Sequence, residues 1–328
     1  MEMIQISNIR EKEKRENSSR LPAVNWHLEA YCNYGCKFCY APLREQREKE
    51  RISKDEGFII LHSIADYGVE KINFVGGEPM LNPYIDDWII EAKELGLVTS
   101  IVSNGTKMTE EWLLRMSPYL DWLGLSIDAS NDEIHTRIGR GRIGEIRDNK
   151  SSHLKRCLEI SRFAKKIGYG LKLNTVVCSE NIFDDMSELV SDMQPNRWKL
   201  FKVLPISGEN DGLVDSMLIT DLQFQNYVNR HRDKLSNQKI IQIVSEDNDE
   251  MLGTYAMIDP QGLVYTNLNG NYSYSQDSIL KVGFSNAWAQ VEDGFSNEGF
   301  NERGGFWSWK KDSEQKLNLP VFRGEIIG

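Results

Sequence analysis

Long apolar runs are missing from this sequence of 328 residues. Mean hydropathy is -0.48, and nothing approaches the roughly 18 consecutive apolar residues of a membrane span. The first twenty residues, MEMIQISNIREKEKRENSSR, have no signal-peptide core and no broad apolar face. A cytoplasmic protein with no membrane partner is the expectation. A positive excess is missing too, since 39 Lys and Arg face 49 Asp and Glu, a formal net charge of -10. That balance argues against a general nucleic-acid binder, which would carry a basic surface. It leaves room for a small anion held in a local basic pocket. Cysteine is scarce, with five in the whole chain, so a disulfide scaffold is excluded. What is present is ordinary: 40% hydrophobic and 27% charged residues, enough for a sizeable core.

Three segments differ in texture. Residues 1–20 read as a polar N-terminal arm, 21–235 as a repeating α/β unit, and 236–328 as a C-terminal extension or lid. Within the repeating unit, β-like runs at 24–29, 71–75, 98–103, 122–128, 171–177 and 198–204 alternate with helical stretches. Six strand–helix repeats imply a parallel sheet. The strands are polar on one face: Asn25, His27 and Glu29; Lys71 and Asn73; Ser126 and Asp128; Lys172 and Asn174; Arg197 and Lys199. A strand buried between two helical layers would be apolar on both faces. Polar side chains need water or a polar ligand, so the pattern predicts a partial barrel with a polar lumen.

Three of the five cysteines fall within eight residues, Cys32-Asn-Tyr-Gly-Cys36-Lys-Phe-Cys39, just after the first strand. Structural zinc normally takes a fourth Cys or His, and none follows at the usual spacing. An iron–sulfur cluster usually has four cysteine ligands, so three would leave one iron open. Cys157 and Cys178 are too few for a second cluster and are expected as small core residues.

The C-x3-C-x2-C spacing, with Phe38 before the last cysteine, resembles the radical S-adenosylmethionine (SAM) superfamily. Gly76-Gly77-Glu78-Pro79 after the second strand strengthens the likeness. The segments VNWHLEAYCNYGCKFCY, KINFVGGEP, SIVSNGT, IGRG, NRWKLFKVLPISGEN and RGG, in this order, resemble the viperin family and its prokaryotic homologues. The resemblance implies a partial (β/α)6 TIM-like barrel with a C-terminal extension. It implies a [4Fe-4S] cluster on Cys32, Cys36 and Cys39. It implies SAM beside Phe38, Gly76, Gly77, Glu78, Ser103, Ser126 and Arg140. It implies a nucleoside triphosphate on Asn25, Lys71, Lys172, Asn174, Arg197, Lys199 and Arg303.

The implied reaction is dehydration of a nucleoside triphosphate to its 3′-deoxy-3′,4′-didehydro form, a terminator of viral RNA synthesis, in antiviral (antiphage) defence. CTP is the favoured substrate, with UTP or GTP as alternatives. In that family a radical derived from SAM takes the ribose 4′ hydrogen, and an external flavodoxin or ferredoxin-type protein supplies electrons. A proton donor is not assigned, because the family's tyrosine falls near Gly262, between Tyr255 and Tyr265. Another radical SAM enzyme acting on a peptide or protein is the alternative, and a non-catalytic metal-binding module a more distant one. His27 and Glu29 are expected in the lumen, contacting substrate or satisfying one another. His231 is expected at the surface, and Trp307 and Trp309 over the site or as tail anchors.

Overall fold

A computed structural model describes residues 21–41, 46–305 and 307. The expected arm at 1–20 and Trp309 lie outside the described residues. Six parallel strands form the centre: β1 (Ala23–Glu29), β2 (Lys71–Gly76), β3 (Val98–Ser103), β4 (Trp122–Ser126), β5 (Gly170–Val177) and β6 (Arg197–Lys202). Helices return the chain between them: α1 (Lys54–Tyr67), α2 (Ile85–Glu94), α3 (Glu110–Met116), α4 (Asp132–Ile138), α5 (Ile143–Arg147), α6 (His153–Lys166) and α7 (Ser187–Met193). Their ends follow local chemistry. In α1, Ser53 and Glu56 form a reciprocal capping box, and Gly68 closes the helix at φ 93°.

The strand alternation decides what each face meets. Trp26, Ile72, Phe74, Leu123, Leu171, Leu173, Trp198 and Leu200 are buried in the hydrophobic core. Ile60, Leu61, Trp88, Ile89, Leu113, Cys157, Ile160 and Ala164 from the helices join them there. Trp26 and Trp88 pack with ring centroids 4.7 Å apart. The second cysteine outside the loop, Cys178, is buried in this core as well.

After α8 (Asp221–Lys234), the chain extends the same sheet at both ends. β7 (Gln242–Glu246) adds parallel to β6. The short helix α9 (Asn248–Met251) then leads to β8 (Met257–Ile258), which pairs parallel with β1. β9 (Val264–Thr266) and β10 (Ser273–Tyr274) follow antiparallel, giving the order β10-β9-β8-β1-β2-β3-β4-β5-β6-β7. The sheet is an open, partial barrel, and residues 247–256 link its two sides. The chain continues through α10 (Ile279–Trp288), broken at Gly283, and α11 (Asn297–Glu302).

Two sequence expectations need correction. His231 is fully buried in α8 instead of lying at the surface. It accepts a hydrogen bond from the Met186 amide and meets the Tyr227 carbonyl through Nδ1 at 2.8 Å, edge-on to Trp198. An imidazole can satisfy both nitrogens on backbone groups, so burial carries no orphan polar atom. Glu29 does not share the lumen with His27. The register with β2 shifts between these residues, and the Glu29 carboxylate instead accepts from the Tyr31 amide and the Arg51 guanidinium, each at 2.9 Å.

Candidate active site

The polar strand faces converge on one cavity of about 500 Å3. All the cysteine, SAM and nucleotide positions expected from the sequence line it: Cys32, Cys36, Phe38, Cys39, Gly76, Gly77, Glu78, Ser103, Ser126 and Arg140 toward one end, and Asn25, Lys71, Lys172, Asn174, Arg197, Lys199 and Arg303 in the remainder.

The cysteine loop is held from behind by β2. The Gly77 amide donates to the Glu29 carbonyl at 2.7 Å, and the Glu78 amide donates to the Tyr31 carbonyl at 2.9 Å. A Cβ on Gly77 would stand 2.3 Å from the Tyr31 oxygen. This glycine therefore admits the backbone that carries Cys32, a tighter constraint than ligand access. From the other side, a Cβ on Gly139 would reach 2.6 Å from the Gly35 oxygen, and its φ of +85° also favours glycine. Burial pushes Cys32 up to about 11 and Cys36 up to about 12, and raises Cys39 too. A metal must therefore displace protons from these thiols on binding. The described residues show no three donor side chains already closed around a single ion. The thiols instead face the cavity as an open triplet.

Two buried charges accompany them. Glu78 accepts from the Ser103 hydroxyl at 2.6 Å and from the Asn104 and Met80 amides at 2.8 and 3.1 Å. Burial outweighs these donors and lifts it to about 7. The Arg140 guanidinium is 2.5 Å from the Asp128 carboxylate and lies over the Phe38 ring at 5.4 Å. Burial alone would lower it, but the Asp128 charge prevails and holds it charged.

The opposite end is crowded with cations. In register, Lys172 pairs with Arg197 and Asn174 with Lys199 across β5 and β6. Lys172 Nζ donates to Ser100 Oγ at 2.5 Å. Burial, then the charges of Lys199 and Arg197, bring Lys172 down to about 7. Lys71 is likewise lowered by burial and by neighbouring cations. Glu246, on β7, is the carboxylate among them, 2.5 Å from Lys199 Nζ and 3.3 Å from Arg303. Lys199 still falls to about 8, chiefly through burial. Arg197 donates to the Gly304 carbonyl at 2.5 Å, and Trp307 lies under both Arg197 and Lys71 at 5.0 and 4.9 Å. Asn73 Oδ1 and Asn174 Oδ1 are buried acceptors without a hydrogen-bond partner. In a cavity, such atoms suit a ligand that brings hydroxyl or amine donors.

Several residues here were not singled out from sequence. Asn73 shares the Lys71 face, so the alternation contained its signal. Tyr255 and Thr254 line the cavity from the 247–256 link. The Tyr255 hydroxyl donates to Glu246 and accepts from Lys199 Nζ at 2.9 Å, with the Arg303 guanidinium 3.9 Å from its ring centroid. Tyr265 is instead committed to His27 Nδ1 at 2.7 Å. Nothing in the weak pattern after residue 236 would have selected Glu246.

The radical SAM superfamily profile matches residues 30–191. An S-adenosylmethionine-dependent nucleotide dehydratase of Flammeovirga pacifica is 39% identical over 88% of this chain and 97% of its own. The S-adenosylmethionine-dependent nucleotide dehydratase RSAD2 of Danio rerio is 32% identical over 93% of this chain and 84% of its own. The chain belongs to the viperin-like family of radical SAM nucleotide dehydratases. This viperin-like chain is therefore an enzyme, and its cofactors are a [4Fe-4S] cluster and SAM. Streptococcus suis SuiB bound to S-adenosylmethionine shares the fold, with a TM-score of 0.66 at 17% identity over 91% of this chain and 72% of that one. Among the described residues no helix is long and apolar enough to cross a membrane.

The cavity fits both cofactors of a viperin-like enzyme. Three thiols, with no fourth cysteine beside them among the described residues, suit a cluster with one open iron. An amino acid bears an ammonium and a carboxylate, and Glu78 and Arg140 offer the opposite charges beside the thiols.

Proposed function

We propose that this enzyme converts a nucleoside triphosphate to its 3′-deoxy-3′,4′-didehydro product, with CTP favoured and UTP or GTP as the alternatives. The product would terminate viral RNA synthesis, so the biological role is antiviral, antiphage defence in the cytoplasm. The supporting observation is the set of cations, Lys71, Lys172, Arg197 and Arg303 buried and Lys199 half-buried, in the same cavity as the cysteine triplet. Their mutual repulsion needs a polyanion, and a triphosphate supplies several negative charges in one small ligand.

The cluster and SAM, when bound, supply reductive hydrogen-abstraction chemistry. Cys32, Cys36 and Cys39 hold the cluster, while Glu78 and Arg140 orient the ammonium and carboxylate of SAM. Phe38, Gly76, Gly77, Ser103 and Ser126 complete that end. Lys71, Lys172, Arg197, Lys199 and Arg303 fix the triphosphate. Asn25 and Asn174 face the sugar, whose 4′ carbon is thereby held toward the reacting centre. Such fixing converts an encounter into an oriented, intramolecular-like step. Arg303 and Trp307, beyond α11, cover the mouth and restrict water. Tyr255, which lines the cavity, would deliver a proton as the 3′ hydroxyl leaves.

The test is anaerobic incubation of reconstituted protein with SAM, dithionite and each nucleoside triphosphate in turn. 5′-Deoxyadenosine is expected to accumulate with one preferred nucleotide, alongside its dehydrated product. Equal accumulation with every nucleotide, and with none, would overturn the substrate assignment.

A further inference from the structure

One face of the molecule departs from its acidic balance. The chain carries -10 overall, yet residues 139–156 contain six Arg and Lys against two acids, Glu145 and Asp148. Arg142, Arg147 and Lys150 are exposed, and so are Lys37 and Lys107. Glu145 is already engaged by the Arg142 amide, Ser152 and Arg156. Asp148 meets Arg147 only loosely, at 3.7 Å with both side chains exposed. Ile143, the first residue of α5, is 66% exposed among these cations.

This basic face lies directly against the cysteine loop. Tyr34, between Cys32 and Cys36, forms an isolated antiparallel bridge with Arg142. The Lys37 amide donates to the Ile138 carbonyl at 3.1 Å. Arg142 Nη2 donates to the Thr106 carbonyl at 3.4 Å, which brings it beside Lys107. Gly35 and Lys37 are themselves exposed, so the loop is approachable from outside.

We infer that this face, built from α5 and its flanking turns over the cysteine loop, docks an acidic flavodoxin-type electron carrier. The purpose of such docking rests on the radical chemistry above. Opposite charge steers association and sets orientation. An exposed isoleucine framed by cations complements the apolar rim of a flavin framed by carboxylates. In the transfer, the anionic flavin hydroquinone gives up one electron and becomes the neutral semiquinone. The cluster gains that electron, and no proton or group moves.

The test uses the reconstituted full chain and an acidic flavodoxin kept reduced by NADPH and its reductase. The triple variant Arg142→Glu, Arg147→Glu, Lys150→Glu is expected to weaken flavodoxin binding by about tenfold or more in calorimetry at low salt. Flavodoxin-driven formation of 5′-deoxyadenosine falls in parallel, whereas dithionite-driven formation stays at the parent level. Unchanged binding and unchanged flavodoxin-driven turnover would overturn the assignment. If the triple variant also loses dithionite-driven turnover, the double variant Arg147→Glu, Lys150→Glu decides. Selective loss of the flavodoxin-driven rate supports docking, and no selective loss overturns it. An acidic ferredoxin that binds this face more tightly than the flavodoxin overturns the choice of carrier. Failure of the nucleotide reading looks different: 5′-deoxyadenosine would form with either reductant, without nucleotide dependence.

Discussion

The two ends of the cavity handle buried charge in opposite ways. At the cysteine end each ionic side chain has its partner inside the protein: Arg140 rests on Asp128, and Glu78 takes three donors. At the other end, among the described residues, Glu246 meets Lys199 and Arg303, and burial with mutual repulsion lowers Lys71, Lys172 and Lys199. One end is neutralised before any ligand arrives. The other stays electrostatically incomplete until a polyanion enters. Stability and activity should therefore respond differently to substitutions at the two ends.

The largest effect should come from breaking the neutralised end. Arg140→Met leaves Asp128 buried and unpaired, a loss of about 3–5 kcal/mol. Chemical denaturation is expected to show that loss, with cluster-dependent activity disappearing as well. The incomplete end should behave inversely. Lys172→Met removes a cation that burial and its neighbours disfavour, so unfolding of the ligand-free protein should be no easier and even slightly harder. Product formation nevertheless falls about 10–100-fold, the scale of one charge-assisted contact. A Lys172→Met protein as destabilised as Arg140→Met would erase the contrast.

The same contrast has a pH signature. The folded-state values of Lys172 and Lys199, about 7 and about 8, lie below the 10.5 of a free lysine. The unfolded chain then binds more protons, so ligand-free stability rises with pH from about 7 toward 10.5. A bound triphosphate raises both lysines, so binding takes up protons and weakens as pH climbs above about 7. Calorimetric titrations in two buffers of different ionisation enthalpy should reveal the uptake, whereas SAM at the paired end, whose ammonium lowers Glu78 from about 7, should release protons instead. The smallest effect on binding is predicted for Tyr255→Phe. It removes one hydroxyl from the Glu246–Lys199 network, worth about 1 kcal/mol of binding. A larger fall in product than in 5′-deoxyadenosine would mark the proton-delivery role.

The sequence made the cavity wall legible because strands alternate strictly. Lys71, Lys172, Asn174, Arg197 and Lys199 could be placed on one face from period two alone, and the structure sets them side by side. The cysteine spacing and the Gly76-Gly77-Glu78 turn carried the other end. The exceptions have local causes. The register shift after His27 turned Glu29 away from the lumen. His231 is polar in a stretch of polar residues, and only tertiary contacts with Met186 and Trp198 reveal that it is buried. Glu246 precedes, and Tyr255 lies within, the link between the two sides of the sheet, whose path depends on strand pairing with β6 and β1. No periodicity within that link encodes where it runs.

The most direct test follows a single hydrogen. CTP deuterated at the ribose 4′ position, incubated anaerobically with SAM and reductant, is expected to place one deuterium in the 5′-deoxyadenosine formed. That transfer requires the triphosphate end and the cysteine end to grip one substrate at once. If CTP is turned over, or stimulates SAM cleavage, while the 5′-deoxyadenosine carries no deuterium, the arrangement described for the two ends is contradicted.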